Sequence, residues 1–159
     1  MSGTLARLGG TDVAVRWDRV NGRGDWAMQG ADLATDQPLV TAVLISLFTD
    51  RVASPDFVNT DGTADRRGWW GDAFNPRPIG SRLWQFERAK KVGPFAMLLE
   101  VRDAIRDALN WVVEDGIASG VDVSNRWTTP SVMAVQVTIR KPAAPSTSLA
   151  FQWVWKGVA

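Results

Sequence analysis

No histidine, cysteine or tyrosine occurs among the 159 residues. Without imidazole or thiolate, the chain cannot build within itself the usual zinc sites, iron–sulfur clusters, Ser-His-Asp or Cys-His nucleophile systems, or redox dithiols. Catalysis would fall to carboxylates alone, and no metal or cofactor is expected. An excess of positive charge is also missing, since 18 Lys+Arg against 17 Asp+Glu leave a net charge of +1. Affinity for nucleic acid comes largely from neutralising phosphates, so nucleic acid is not an expected partner. Long apolar runs are absent too. The longest, residues 42–48, includes Ser46 and falls far short of the roughly 20 residues that span a bilayer. Residues 1–10 lack the basic segment and apolar run of a secretory leader. The expectation is a soluble cytosolic product with no membrane partner, which the absence of cysteine fits.

What the sequence does hold is apolar bulk: a hydrophobic fraction of 45%, with nine tryptophans. That is enough to fill one core at this length without staples, so residues 1–159 are expected to form a single domain. Val13, Val15 and Trp17 alternate, as do Trp26 and Met28 beyond a polar turn at Asn21, Gly22, Arg23 and Gly24. This pattern predicts a β-hairpin with one buried face. After Asp36 and Pro38, apolar positions 40, 43, 44, 47 and 48 recur at helical intervals and predict a short helix ending near Thr49.

From about 50 to 77 periodicity stops, in a segment carrying Pro55, Asp61-Gly62, Arg66-Arg67-Gly68, Trp69-Trp70-Gly71 and Pro76. Long irregular loops are usually functional or disordered, and paired tryptophans argue against disorder. A second helix is predicted over 79–90, with Leu83 and Phe86 inward, and a long one over 94–115. The stripe expected on the long helix is Phe95, Leu98, Val101, Ile105, Ala108, Leu109 and Val112, with Gly116 as a left-handed stop. Three β-like runs follow at 117–123, 132–140 and 149–156, the last placing Phe151, Trp153 and Trp155 inward. The order predicts an α+β fold, a largely antiparallel sheet with about three helices packed on one face.

Glu100, Asp103, Asp107 and Glu114 share the outer face of the long helix. Groups four apart on a helix approach within about 5–6 Å at Cβ, near the separation of a retaining glycosidase pair. A solvated face is the better reading, because Arg102 and Arg106 interleave and a convex helix neither encloses a sugar nor desolvates a carboxyl. Asp56, Asn59, Asp61 and Asp65 fail the spacing of an EF-hand loop. Trp69 and Trp70, flanked by Arg66, Arg67 and Asp72, admit two readings: a core plug beneath the loop, or an anchor for a partner. A carboxy-terminal strand at a sheet edge is a further place where another chain adds a strand.

Several stretches carry a family resemblance. They are Arg16-Trp-Asp18, Gly24-Asp-Trp26, the run from Leu39 to Arg51, Arg67-Gly-Trp-Trp-Gly-Asp72, Ile79-Gly-Ser-Arg-Leu-Trp-Gln-Phe-Glu87, and the run from Ala108 to Gly116. Together they resemble the Mu-type phage and prophage tail protein family of baseplate wedge components, over most of residues 13–123. That family is similar to the wider, lysozyme-labelled wedge family of contractile tails, in which a Glu-Pro-Arg triplet follows a long helix. Here the matching place reads Glu114-Asp115-Gly116, which keeps the glutamate and lacks the proline and arginine. The resemblance implies a structural, non-enzymatic subunit bound to other wedge proteins, with tail tube or sheath as further neighbours and a role in starting the sheath by sharing strands. It implies assembly in the host cytoplasm and residence in the virion tail baseplate. On this reading Arg66, Arg67, Trp69, Trp70, Asp72 and Glu114 are the expected partner-binding residues, and no small-molecule substrate is expected. The rival is a carboxylate-dependent peptidoglycan muramidase using Asp103 and Asp107. A weaker third reading is a carbohydrate-binding module working through exposed tryptophans.

Overall fold

In the computed structural model, alternation near the amino terminus becomes antiparallel pairing. The structure describes the backbone of residues 12–13, 15–18, 23–26, 28–29, 32–33 and 35–36, and residues 38–59, 62–87 and 93–156 with their side chains. The chain divides into two compact units, Met1–Leu44 and Ile45–Ala159. In the first, the strands are β1 (Asp12–Val13), β2 (Val15–Asp18), β3 (Arg23–Trp26), β4 (Met28–Gln29), β5 (Asp32–Leu33) and β6 (Thr35–Asp36). β2 pairs with β3 from Val15↔Trp26 to Asp18↔Arg23, β4 with β5, and β1 with β6. The predicted hairpin is therefore present as β2–β3, with Arg23 and Gly24 in the strand rather than the turn. Asn21 and Gly22, and the buried face expected of this hairpin, lie outside the described residues.

Helix α1 (Pro38–Phe48) opens on the predicted proline, whose fixed φ suits the first helical turn. After an irregular stretch come α2 (Leu83–Glu87), α3 (Pro94–Leu109) and α4 (Trp111–Glu114). α2 starts four residues later than periodicity suggested, because the chain before it pairs with the end of α1. Ser81 donates its N–H to Thr49 O at 2.9 Å, and Arg51 donates to Ser81 O at 3.0 Å. Gly80 permits this at φ 104, since a Cβ there would stand 2.4 Å from Thr49 O. The predicted residues 88–90 lie outside the described residues, and the inward aromatic of α2 is Trp84 rather than the half-buried Phe86.

The predicted long helix divides at Asn110, whose N–H bonds to Asp107 O, three residues back rather than four. Its buried positions are Met97, Val101, Ala104, Ile105, Ala108 and Leu109, continued by Val112. Phe95, expected inward, is 71% exposed. At 100° per residue it lies about 120° around the helix from Val101, off the face that the other apolar positions define. Gly116 ends the segment with φ 69, as predicted.

β7 (Gly120–Thr129), β8 (Val132–Arg140) and β9 (Thr147–Val154) form an antiparallel sheet in the order β7-β8-β9, confirming the α+β class. β7 runs six residues beyond its predicted end. Ser124 and Arg126 are exposed, whereas Asn125 and Trp127 turn the other way and donate to Leu98 O and Pro94 O of α3 at 2.8 and 2.9 Å. Polar character at these positions hid a strand whose inward groups find acceptors on a helix. The inner face carries Val123, Met133, Val135, Val137, Ile139 and Phe151, all buried, with Phe48 of α1 edge-on to Phe151 at 5.2 Å. Trp155 is buried and Trp153 half-buried, while Gln152, Val154 and Lys156 face out, matching the predicted alternation.

Among the described residues β9 is an edge strand, and its parity is fixed. Trp155 donates to Ser131 O, so the pairs two residues apart from it, such as Trp153↔Met133 and Phe151↔Val135, are the hydrogen-bonded ones. The intervening Ser148, Ala150, Gln152 and Val154 then turn their N–H and C=O groups away from β8. Lys156, next in that series, donates to Glu87 O at 2.7 Å, and its ammonium meets Glu87 Oε1 at 2.5 Å. α2 thus closes the carboxyl end of the edge.

Candidate functional site

The irregular stretch after α1 is held by its own polar groups. Ala53 donates to Arg66 O at 2.9 Å, and the Arg66 guanidinium returns two bonds to Ala53 O, that from Nε at 3.0 Å. Asn59 Nδ2 bridges to Thr63 and to Asp65 O, and Asp65 Oδ1 accepts the Arg67 N–H at 2.8 Å. Arg67 adopts φ 49, a left-handed conformation unusual for a residue with a Cβ. Its guanidinium is pinned as well, with Nη1 2.7 Å from Asp50 Oδ2 and Cζ 4.8 Å over the ring of Trp84. Trp84 in turn donates to Arg51 O at 2.9 Å and meets Phe57 edge-on. A loop fixed at this many points is held in place by the chain's own groups.

Beyond Gly68 the chain makes a five-residue 3-10 turn, Trp70–Phe74, which begins with Asp72 N–H to Trp69 O at 3.0 Å. The Trp69 ring lies over Gly71, so closely that a Cβ on Gly71 would fall 2.3 Å from it. Asp72 turns inward, where Oδ1 accepts the Ile79 N–H at 2.9 Å and Oδ2 is buried without a partner among the described residues. Asn75 closes the turn through Gly71 O. The two rings meet, with centroids 5.5 Å apart and planes tilted by 48°, but differ in exposure: Trp69 is half-buried and packs the turn, while Trp70 is 77% and Phe74 82% exposed. Trp69 thus packs the loop, as one of the two readings has it, and Trp70 is left at the surface.

Five of the six expected site residues lie in this loop. Arg66, Arg67, Trp69 and Asp72 are spent on holding it, and Trp70 faces outward. Glu114 sits apart on α4, where Arg77 bridges it and Asp115 at 3.1 and 3.0 Å. The Asp115 and Glu114 carboxylates hold the Arg77 guanidinium above its ordinary value. Sequence reasoning missed Phe74, although it follows Trp70 by four positions. It also missed Arg51, Arg77 and Arg82, whose partners lie far along the chain.

The acidic stripe is a solvated face. Asp103 lies 3.8 Å from both Arg102 and Arg106, and Asp107 Oδ2 receives Arg51 and Arg82 at 3.1 and 3.2 Å. All four carboxylates of the stripe are exposed, and nothing in their setting resembles a desolvated acid facing a nucleophile. Among the described residues no group of acids gathers in metal-binding geometry. No described helix is long and apolar enough to cross a membrane.

The class that the fold and loop define is an α+β body carrying an aromatic 3-10 turn and acids paired at its surface. The family described as phage protein GP46 matches residues 39–146, and the chain belongs to it. It is 47% identical over 113 residues to the baseplate protein gp46 of Escherichia phage Mu, covering 71% of this chain and 75% of that one. It is 32% identical over 146 residues to the Mu-like prophage FluMu protein gp46 of Haemophilus influenzae, covering 91% of this chain and 98% of the relative.

Proposed function

We propose that this chain is a structural subunit of a phage or prophage tail baseplate, acting by docking to neighbouring baseplate proteins and not by catalysis. The observation that carries the reading is its 47% identity with a Mu protein named for the baseplate. The loop after α1 supports it physically, because an exposed indole on a pre-ordered turn loses little entropy on docking. Within the baseplate the subunit takes a wedge position against larger partners and helps to start the sheath. The edge of β9, unpaired among the described residues and offering the outward amides of Ser148, Ala150, Gln152 and Val154, supports strand addition by a tail-tube or sheath neighbour. The chain assembles in the host cytoplasm before becoming part of the particle. Arg66, Arg67, Trp69 and Asp72 act by holding Trp70 in place, and Glu114 with Arg77 forms a second, polar contact region.

Deleting the gene from a producing strain tests this reading. Particles are expected to lack assembled baseplates and contracted-competent sheaths by negative-stain microscopy, with restoration by the parental gene. Normal tails from the deletion strain would refute it. Purified protein is expected to release no fragments from peptidoglycan. Cleavage abolished by Asp103→Asn or Asp107→Asn would instead establish the muramidase.

A further inference from the structure

Between Gly68 and Gly80 the chain leaves its fastenings and returns to them. Both glycines have positive φ, 112° and 104°. The residues just outside them are tied to one short stretch: Arg66 to Ala53 and Arg67 to Asp50 on one side, Ser81 to Thr49 and Arg51 on the other. The two feet of residues 69–79 therefore stand side by side on residues 49–53. What lies between is fastened to itself. Trp69 covers Gly71 and meets Trp70, Asn75 Nδ2 donates to Gly71 O at 3.2 Å, and Ile79 N–H donates to Asp72 Oδ1 at 2.9 Å. Burial holds this segment weakly, since Trp70 and residues 73–78 are all exposed. Among the described residues, the hydrogen bonds that tie 69–79 to another element are those of Arg77. Its Nη1 donates to Glu114 Oε2 at 3.1 Å, and its Nη2 donates to Asp115 Oδ1 and Oδ2 at 3.2 and 3.0 Å, at the end of α4.

We propose that residues 69–79 form a flap that swings as one piece about Gly68 and Gly80, with Arg77 on Glu114 and Asp115 as the latch that sets where Trp70 faces. Glycine absorbs the change in φ and ψ that a hinge needs. The three latch side chains are each about half exposed, so salt screens the bridges and they bias the latched position only modestly. That position also carries a cost, because Asp72 Oδ2 is buried in it without a partner among the described residues. A weak latch against a standing cost leaves the two positions close in free energy, as a switch requires. Trp70 and the acids of α4 are thereby coupled. A group that takes Glu114 and Asp115 frees the turn, and one that holds the turn in place tightens Arg77 onto them. The device belongs to the chain itself and does not rest on the baseplate reading.

The chain has no cysteine, so Phe74→Cys and Ser124→Cys place two spin labels uniquely, one on the flap and one on the exposed face of β7. Pulsed electron spin resonance on the purified full chain then reads the distance between them. At about 0.01 M salt the labelled parent is expected to give one main distance. Arg77→Ala, and Glu114→Gln combined with Asp115→Asn, are each expected to raise a second distance about 3- to 30-fold in population, the range that two exposed bridges supply. Arg77→Lys, which keeps the charge but not the fork, falls between. At about 1 M salt, where the screening length shrinks to about 3 Å, the parent moves toward Arg77→Ala, and Arg77→Ala itself does not change. Amide exchange at Asp72 and Ile79 is expected to stay as slow as in the parent, because their hydrogen bonds travel with the flap. If Arg77→Ala fails to melt cooperatively, the salt response of the parent decides. One unchanged distance across the folded variants and both salts overturns the latch. A second distance accompanied by faster exchange at Asp72 and Ile79 overturns movement in one piece, since the segment would then unravel. Either failure leaves the baseplate reading as it stands.

Discussion

Gly80 and Gly71 occupy positions where a single methyl group meets something immovable. At Gly80 the obstacle is the Thr49 carbonyl, and φ 104 adds strain for any L side chain. Gly80→Ala is expected to lower stability by about 2–4 kcal/mol, seen as a fall in the thermal midpoint, because the pairing of Ser81 with the end of α1 must open. At Gly71 the obstacle is the Trp69 ring, which has some freedom to tilt, so Gly71→Ala should cost about 1–3 kcal/mol and loosen Trp70. Ser81 is buried, donates to Leu47 O at 2.5 Å and accepts from Leu83 N–H. Ser81→Ala removes both partners and is expected to cost about 1–3 kcal/mol. The sequence named Trp69 and Trp70 but had no means of dividing their roles. That division depends on Gly71 lying beneath one ring and on Asp72 reaching Ile79, contacts that no local pattern encodes.

The inward stripe of α3 and the outer edge of β9 are testable as elements. Ile105→Ala should cost about 2–5 kcal/mol, because Ile105 is fully buried. Phe95→Ser should change stability by less than about 0.5 kcal/mol in the same denaturant titration. Equal losses would restore Phe95 to the core. On β9, Ala150→Pro removes an N–H that points away from β8 and should leave the fold intact by circular dichroism, whereas Phe151→Pro breaks a ladder bond and should unfold it. β8, α1 and the inward aromatics of β9 were legible because strict alternation or helical spacing sets them. The shortening of α2 and the extension of β7 were not. The first follows from a backbone bridge between Asp50 and Ser81, the second from polar residues satisfied by helix carbonyls 27 and 33 positions away.

For the whole molecule, composition had already ruled out most catalytic machinery, and the carboxylate stripe that survived this exclusion is occupied by arginines. Asp107 holds Arg51 from the end of α1 and Arg82 from the start of α2. Asp107 thus fastens the loop to α3, so Asp107→Asn should loosen the loop while peptidoglycan release stays at background. The loop is thereby presented as a fixed surface on a chain that belongs to the phage GP46 family. A cryo-electron microscopy reconstruction of the tail baseplate from particles encoding this chain tests the account most directly. It should show the subunit against a neighbour, with Trp70 buried in the contact. Density for the subunit with Trp70 facing solvent, or no density for it in the baseplate, would contradict that reading.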